Sequence, residues 1–477
     1  MKALVVAQLR YMVAVLATLL IAGTTIVWGN IGIWTSLGLE GRSIRALAID
    51  PKNPNILYAG TGWDGRYNGG VFKSTDGGRS WSALSLEFSP VSVQALMLDS
   101  QNPATIYAAT WGHGLFKSTD GGANWVNIVL PGGLPAAQVT RGISVPQPNF
   151  IGSLAIDPKD ASTVYAGSNT YCCPWVSWVY KSTDGGESWM ASRLNAAAVT
   201  SLAIDPQNPS VLYAGHSDSI DGEGGISKSV DGGVNWTDVG TIVDGNVYGL
   251  GIDPLNSGTL YAATMSWHAV GYVGRVFKSS DGGASWLNTA LPTMEVDPQH
   301  NSSVSAVLID PRTPTTVYAA TNTWRGTAYV GNVVKSTDGG TSWVDSGLMV
   351  PRITSLRIDP QDPDRIFAAT DSSGVFVLNV HPLLTLDSTQ YCIGDVWNLK
   401  ATGVSPNTSV RLLGTTNGES WEIADWSKTD VNGTVNLTGV FAEGSKGSHT
   451  LSVEIGGLQS NTVSFVVSSC RVVAGKA

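Results

Sequence analysis

The chain has 477 residues, of which 43% are hydrophobic and 14% charged. That length is too great for one ordinary domain, and the composition excludes intrinsic disorder, which requires low hydrophobicity and high charge. A formal net charge of −9 argues against a phosphate-binding surface, so no nucleic-acid partner is expected.

Residues 1–29 are the first predicted element. Lys2 and Arg10 precede an uncharged run over residues 11–28. The pattern reads as a signal peptide, or as an uncleaved N-terminal anchor long enough to span a bilayer. Positive charge on its N-terminal side puts the remainder outside the cytoplasm in both cases. The expected location is secreted or cell-surface, with membrane contact only through a retained anchor.

Residues 30–380 carry an internal repeat. Seven apolar strands end in aspartate, at Asp50, Asp99, Asp157, Asp205, Asp253, Asp310 and Asp359. In six of them proline follows, where a turn needs φ near −65°. Eight residues after each aspartate stands an aromatic: Tyr58, Tyr107, Tyr165, Tyr213, Tyr261, Tyr318 and Phe367. A third strand then leads into an octad, Ser-x-Asp-Gly-Gly-x-x-Trp, at 74–81, 118–125, 182–189, 229–236, 279–286 and 336–343. The octad is expected to be a hairpin turn. Its Ser and Asp oxygens would accept backbone N–H groups, its glycines supply positive φ, and its Trp packs beside a neighbouring unit. Four short strands per repeat of this length predict a β-propeller blade.

The seventh unit has a third strand at Val375 but no octad. The sequence Trp34-Thr35-Ser36-Leu37-Gly38-Leu39 matches Trp343-Val344-Asp345-Ser346-Gly347-Leu348. The N-terminal strand is therefore expected to complete blade seven and close the ring, removing exposed edges. The predicted fold is all-β: a seven-bladed β-propeller closed by an N-terminal strand, followed by a small β-sandwich over residues 381–477. Alternating strands and Asn-Gly turn signals support the sandwich. Cys392 and Cys470 would tie its first strand to its last as a disulfide. Cys172 and Cys173 are adjacent and read as a loop brace, either bonded to each other or as two thiols. No Cys-x-x-Cys pair is present, so no structural zinc is expected, and no cofactor motif appears.

The octad resembles the Asp-box, or BNR repeat, of the sialidase-like superfamily. The whole unit is similar to blades of the sortilin-type, photosystem II assembly-factor-type and xyloglucanase-type propellers. The tail resembles bacterial immunoglobulin-like modules. These resemblances imply the propeller, but the fold hosts hydrolases, receptors and assembly factors alike. Pro351-Arg352-Ile353-Thr354 carries only half of the sialidase Arg-Ile-Pro signature. Xyloglucanases place an aspartate in a blade-one loop of the type Thr-Asp-x-Gly-Gly-x-Tyr. Here that loop reads Thr61-Gly62-Trp63-Asp64-Gly65-Arg66-Tyr67, with Asp64 displaced.

The Asp turn and the octad share one face of the predicted blade, and the connections of variable length share the other. Loops on a rigid scaffold carry function, so the variable face is the candidate site. Six surplus tryptophans fall there: Trp63, Trp111, Trp175, Trp178, Trp267 and Trp324. Tyr67, His113, His268 and Arg325 join them as candidate ligand-binding residues. Such aromatics suit sugar stacking or anchoring of a protein partner, and mutual packing of loops is the plainer reading. Acidic candidates on this face are Asp64, Asp218, Asp221 and Glu223. A glycosidase would need two of them about 5–10 Å apart. The octad aspartates and the lysines before each octad (Lys73, Lys117, Lys181, Lys228, Lys278, Lys335) read as structural and as solvated, respectively. The leading expectation is an exported, non-catalytic binding or scaffold protein for a glycan or an extracytoplasmic protein. A glycoside hydrolase with a non-standard carboxylate pair, and an extracytoplasmic complex-assembly factor, are the alternatives.

Overall fold

The computed structural model describes residues 33–468, except 64–68, 85–91, 132–149, 170–176, 195, 218–223, 240–244, 269–270, 290, 292–300, 380–382, 387–389, 393–395, 403–408, 418, 429–434, 441–446, 456–457 and 460–462. The described residues are all β, without a helix, so none holds a helix long and apolar enough to cross a membrane. Residues 1–32 lie outside the described residues.

Each aspartate-ended repeat forms a four-stranded antiparallel sheet of propeller type. The first comprises Ile44–Ile49, Leu57–Thr61, Gly70–Ser74 and Ser82–Leu84, in chain order. Five further sheets repeat that order. In a seventh, Ile353–Ile358, Arg365–Thr370 and Val375–Asn379 are joined by Ile33–Ser36, with Trp34 opposite Leu378. Second strands are covered on both faces by neighbouring sheets, so they read as unbroken apolar or small runs. Leu57–Thr61 and Val164–Ser168 are buried at every position.

The first strands line up side by side. Ile44–Ile49 contacts Ser92–Leu98, contact passes from first strand to first strand, and Ile353–Ile358 returns to Ile44–Ile49. Every first strand slips register by one residue at the same place. Such a bulge re-aims the skipped residue. Ser305 Oγ thereby donates to Ile353 O of the next sheet at 2.7 Å, and Thr354 Oγ1 to Ile44 O at 2.6 Å.

Both tight turns are built by side-chain oxygens. Asp50 Oδ1 accepts Lys52 N at 2.8 Å and Asn53 N at 3.2 Å. In the octad, Ser74 Oγ accepts Gly78 N at 2.8 Å. Asp76 accepts Ser80 N at 2.9 Å and Ser80 Oγ at 2.6 Å. The bonds from Ser80 and Ser74 hold the Asp76 pKa down at about 2. Gly77 and Gly78 have φ of 75° and 93°, a region costly for any side chain. Gly77 N donates to Asn55 O at 2.8 Å, which places octad and Asp turn on one face. The other five octads repeat these contacts, with the amides of Asn124 and Asn235 in place of the serine hydroxyl in two of them.

The lysines are not solvated. Lys73 Nζ lies 5.2 Å from the Tyr58 ring centroid and donates to Gly121 O in the next octad at 3.2 Å. Lys228 and Lys278 reach Gly282 O and Gly339 O at 3.0 and 2.9 Å. Tyr58, Tyr107, Tyr165, Tyr213 and Tyr261 donate to the same set of glycine carbonyls. A lysine stem laid on an aromatic ring keeps its ammonium bonded without full hydration, so the position links sheets.

The remaining strands form two sheets. Leu383–Leu386, Val396–Thr402 and Val435–Val440 make one. Gln390–Cys392, Val463–Ser468, Gly447–Ile455, Ser409–Thr416 and Glu419–Lys428 make the other, with Leu458–Gln459 on Gly447–Ile455. Cys392 stands opposite Ser468 in a parallel pair. Cys470 lies outside the described residues.

Tyr261 donates to Gly339 O at 3.0 Å. The equivalent Tyr318 faces the sheet completed by Ile33–Ser36, which has no octad. Tyr261→Phe should therefore cost about 1 kcal/mol of unfolding free energy, the worth of a typical net hydrogen bond. Tyr318→Phe should cost clearly less, as read from the two denaturation midpoints.

Candidate functional site

On the variable face, a chain of contacts crosses four adjacent sheets. It begins at Trp63, just past the strand Leu57–Thr61, whose side chain is 60% exposed. Its neighbour Gly62 donates its N–H to Ser43 O at 2.7 Å. A Cβ on Gly62 would stand 3.1 Å from Arg45 Nε, so the Arg45 side chain packs against the Gly62 backbone, one residue before Trp63.

Arg45 is the residue skipped by the bulge in its strand. Its Nη2 lies 3.2 Å from Asp371 Oδ1, and Ser43 Oγ donates to the same oxygen. Arg45 and Asp371 keep 33% and 29% of their side chains exposed. A half-wet ion pair adds little stability. What it provides is an oriented donor–acceptor pair packed against the residue that precedes the exposed Trp63.

Asp371 N donates to Arg352 O at 2.8 Å. The Arg352 guanidinium lies 5.6 Å from the Tyr329 ring centroid, and Tyr329 meets Trp324 edge-on at 5.1 Å. Trp324 N donates to Asn301 O at 2.7 Å, and Asn301 Oδ1 accepts Tyr272 N at 2.9 Å. Tyr272 is 37% exposed and pairs across its hairpin with Trp267.

The sequence places the six surplus tryptophans in loops, and the structure corrects this for four of them. Trp111, Trp267 and Trp324 stand near the ends of second strands, and Trp178 in a third strand. The two central strands simply run on as paired ribbons, as Trp324 opposite Tyr329 illustrates. Trp111 packs edge-on against Phe150 of the next sheet at 5.0 Å. Trp178 is 36% exposed. His113 lies beside Trp111, and its carbonyl accepts Asn127 Nδ2 at 3.0 Å. Arg325 is exposed, and its N–H donates to Ala328 O across the hairpin tip. His268 closes the Trp267 strand.

Tyr67, Trp175, Asp64, Asp218, Asp221, Glu223, Cys172 and Cys173 lie outside the described residues. Among the described residues, no group of three or more His, Cys, Asp or Glu side chains gathers as a metal site. Sequence reasoning passed over Arg45 and Asp371. One signal was available: the residues at the equivalent bulge of the other sheets, Gln94, Gly152, Thr200, Tyr248, Ser305 and Thr354, are all uncharged.

No family model matches the chain. A xyloglucanase from a Paenibacillus species is 24% identical over 283 residues, 53% of this chain. The match spans only 26% of that relative's length. Among solved structures, the GH74 xyloglucanase from Xanthomonas campestris aligns with a TM-score of 0.54 at 13% identity, over 91% of this chain and 81% of that one. A GH74 enzyme of Niastella koreensis gives 0.53 at 16%, over 92% and 74%. YCF48 from Cyanidioschyzon merolae gives 0.51 at 15%, over 72% and 98%. Identities this low establish a shared β-propeller fold and no more.

Trp63 and Trp324 separate exposure from packing. Trp63→Ala should leave Tm within about a degree, since surface changes usually stay within about ±0.5 kcal/mol. Trp324→Ala removes the contact with Tyr329 and should lower Tm by several degrees. Calorimetry of the two variants checks both.

Proposed function

We propose that the chain is an exported, non-catalytic binding or scaffold propeller. It recognises a glycan or an extracytoplasmic protein through the aromatic face. In this reading residues 30–380 are a seven-bladed Asp-box propeller closed by the N-terminal strand. Residues 381–477 are an immunoglobulin-like spacer held by a Cys392–Cys470 disulfide, and residues 1–29 direct export.

The observation that carries the binding reading is the run from Trp63 through Arg45 and Asp371 to Tyr329 and Trp324. An exposed aromatic residue next in sequence to the glycine on which a part-exposed guanidinium–carboxylate pair rests offers both stacking area and donors and acceptors on one face, which suits sugar rings and polar peptides alike. Support for the seven-bladed closure comes from the four-stranded sheets and from Ile33–Ser36 lying against Val375–Asn379. Trp34 Nε1 donates to Ser346 Oγ at 3.0 Å, as the octad Trp236 Nε1 does to Ser192 Oγ at 3.0 Å. Replacing Trp63, Trp111 and Trp267 together by alanine should abolish retention on a glycan array or by the protein partner. Retention equal to wild type would overturn the reading.

A glycoside hydrolase is the second reading, favoured by the xyloglucanase relative and by one placement. Asp371 is a part-exposed carboxylate on that face, held by Arg45 and Ser43. A polysaccharide panel incubated with wild type, Asp64→Asn, Asp221→Asn and Asp371→Asn decides between the readings. Reducing ends released by wild type and lost by more than a hundredfold in an Asp variant would establish the enzyme. No release by wild type retains the binding protein.

A further inference from the structure

The recognition run crosses a seam between two sheets. Arg45 lies in the sheet of Ile44–Ile49, and Trp63 stands just past another of its strands. Asp371 follows Arg365–Thr370, in the sheet that Ile33–Ser36 completes. Residues 37–43 are the covalent link between Ile33–Ser36 and Ile44–Ile49. The backbone that completes one sheet therefore leads directly to Ser43 and Arg45 of the other.

This link is laced to the hairpin that presents Asp371. Leu37 N donates to Val375 O at 2.7 Å, Val375 N to Gly38 O at 3.1 Å, and Gly41 N to Ser372 O at 2.8 Å. Ser43 Oγ and Arg45 Nη2 then meet Asp371 Oδ1. A Cβ on Gly374 would collide with Gly38 O, so the two backbones touch. Thr370 N and Thr370 Oγ1 both donate to Gly374 O, at 3.0 and 2.8 Å, which makes the hairpin one piece. The link is also strained. Leu39 has φ of 61°, a conformation costly for a residue with a Cβ and kept only where the surroundings impose it. Its half-buried side chain packs on the cluster of Leu47, Phe367 and Val375. The outer anchor is slight by comparison. Ile33–Ser36 has four residues and pairs on one side only. Thr35 and Ser36 are exposed, and Trp34 reaches Ser346 Oγ at 3.0 Å. Short elements with few buried contacts open locally before the rest of a fold.

We propose that residues 33–43 form a strap whose docking assembles the Arg45–Asp371 pair, so that the docked strap and a ligand bound across the seam stabilise each other. Undocking removes the three backbone bonds that hold the hairpin of Asp371. It also frees the backbone next to Ser43, so the two halves of the pair part together. A ligand that touches the pair from both sheets binds the docked form better, and linkage makes the effect mutual. The ligand half of this proposal rests on the binding reading of the face, and the strap half does not.

Hydrogen exchange of the whole protein, read by mass spectrometry, tests both halves. Without ligand, Asp371→Ala should speed exchange of residues 33–43 about tenfold and leave the central strand Leu212–Ser217 unchanged, because local opening follows local contacts. Ser43→Ala removes one bond to the same carboxylate and serves if that variant fails to fold. In the other direction, Trp34→Ala acts outside the recognition run. It should speed exchange at Gly62 and Asp371, whose N–H groups bond Ser43 O and Arg352 O. Ser346→Ala is its milder substitute. Trp63→Ala should change neither segment. A mixture of xylohexaose, cellohexaose and chitohexaose supplies the ligand, with retention on the same immobilised sugars measured in parallel. Retained sugar should slow exchange of residues 33–43 about fivefold near saturation. Retention without slowing overturns the coupling and leaves the binding reading standing. Absence of retention counts against the glycan reading of the face, and the ligand-free variants then decide the strap alone. Exchange of residues 33–43 that is indifferent to Asp371→Ala and Ser43→Ala, or exchange at Gly62 and Asp371 that is indifferent to Trp34→Ala, overturns the proposal.

Discussion

One peptide unit, repeated around the molecule, sets how the sheets assemble. In five of the six octads the first glycine uses its N–H within its own sheet and its carbonyl toward the preceding one. Gly121 N donates to Ala104 O at 2.9 Å, and Gly121 O accepts Tyr58 Oη and Lys73 Nζ. Only a left-handed backbone presents both groups this way, and Gly121 has φ of 72°. A side chain would also collide with the incoming lysine, since a Cβ on Gly339 would lie 2.8 Å from Lys278 Nζ. Turn geometry inside one sheet and spacing between sheets are thus fixed by the same residue.

This explains which parts of the molecule are legible in sequence. The Asp turn and the octad are local, recur many times, and use residues whose chemistry is unambiguous, so the hairpins and the four-stranded sheets can be read directly. The lysines read wrongly as solvated because recurrence reveals that a position matters, not how deep it lies. Their burial depends on a tyrosine in the same sheet and a carbonyl in the next. The candidate site is half legible. Exposed Trp63 stands out by residue type. Arg45 and Asp371 do not, because they are distant in sequence, occur once, and meet only when the first and last repeats come together.

The division between the two faces has a physical basis. The octad aspartates are consumed by the turns they build, as the low pKa of Asp76 shows. The opposite face has freedom, because its connections need only join strands that are already positioned. Aromatic and charged residues there vary from repeat to repeat without disturbing the framework. That freedom makes the face suitable for recognition and makes fold similarity a poor guide to its chemistry.

Three of the outermost strands are very short. Thr237–Asp238, Leu287–Asn288 and Val344–Asp345 have two residues each. Leu287 is 74% exposed and Val344 41%, so apolar side chains stand on an open perimeter. A longer edge of this kind would template strand addition from another molecule. Two residues offer too few backbone bonds for such a ribbon to propagate, so these three edges tolerate exposed hydrophobic groups without inviting the molecules to polymerise.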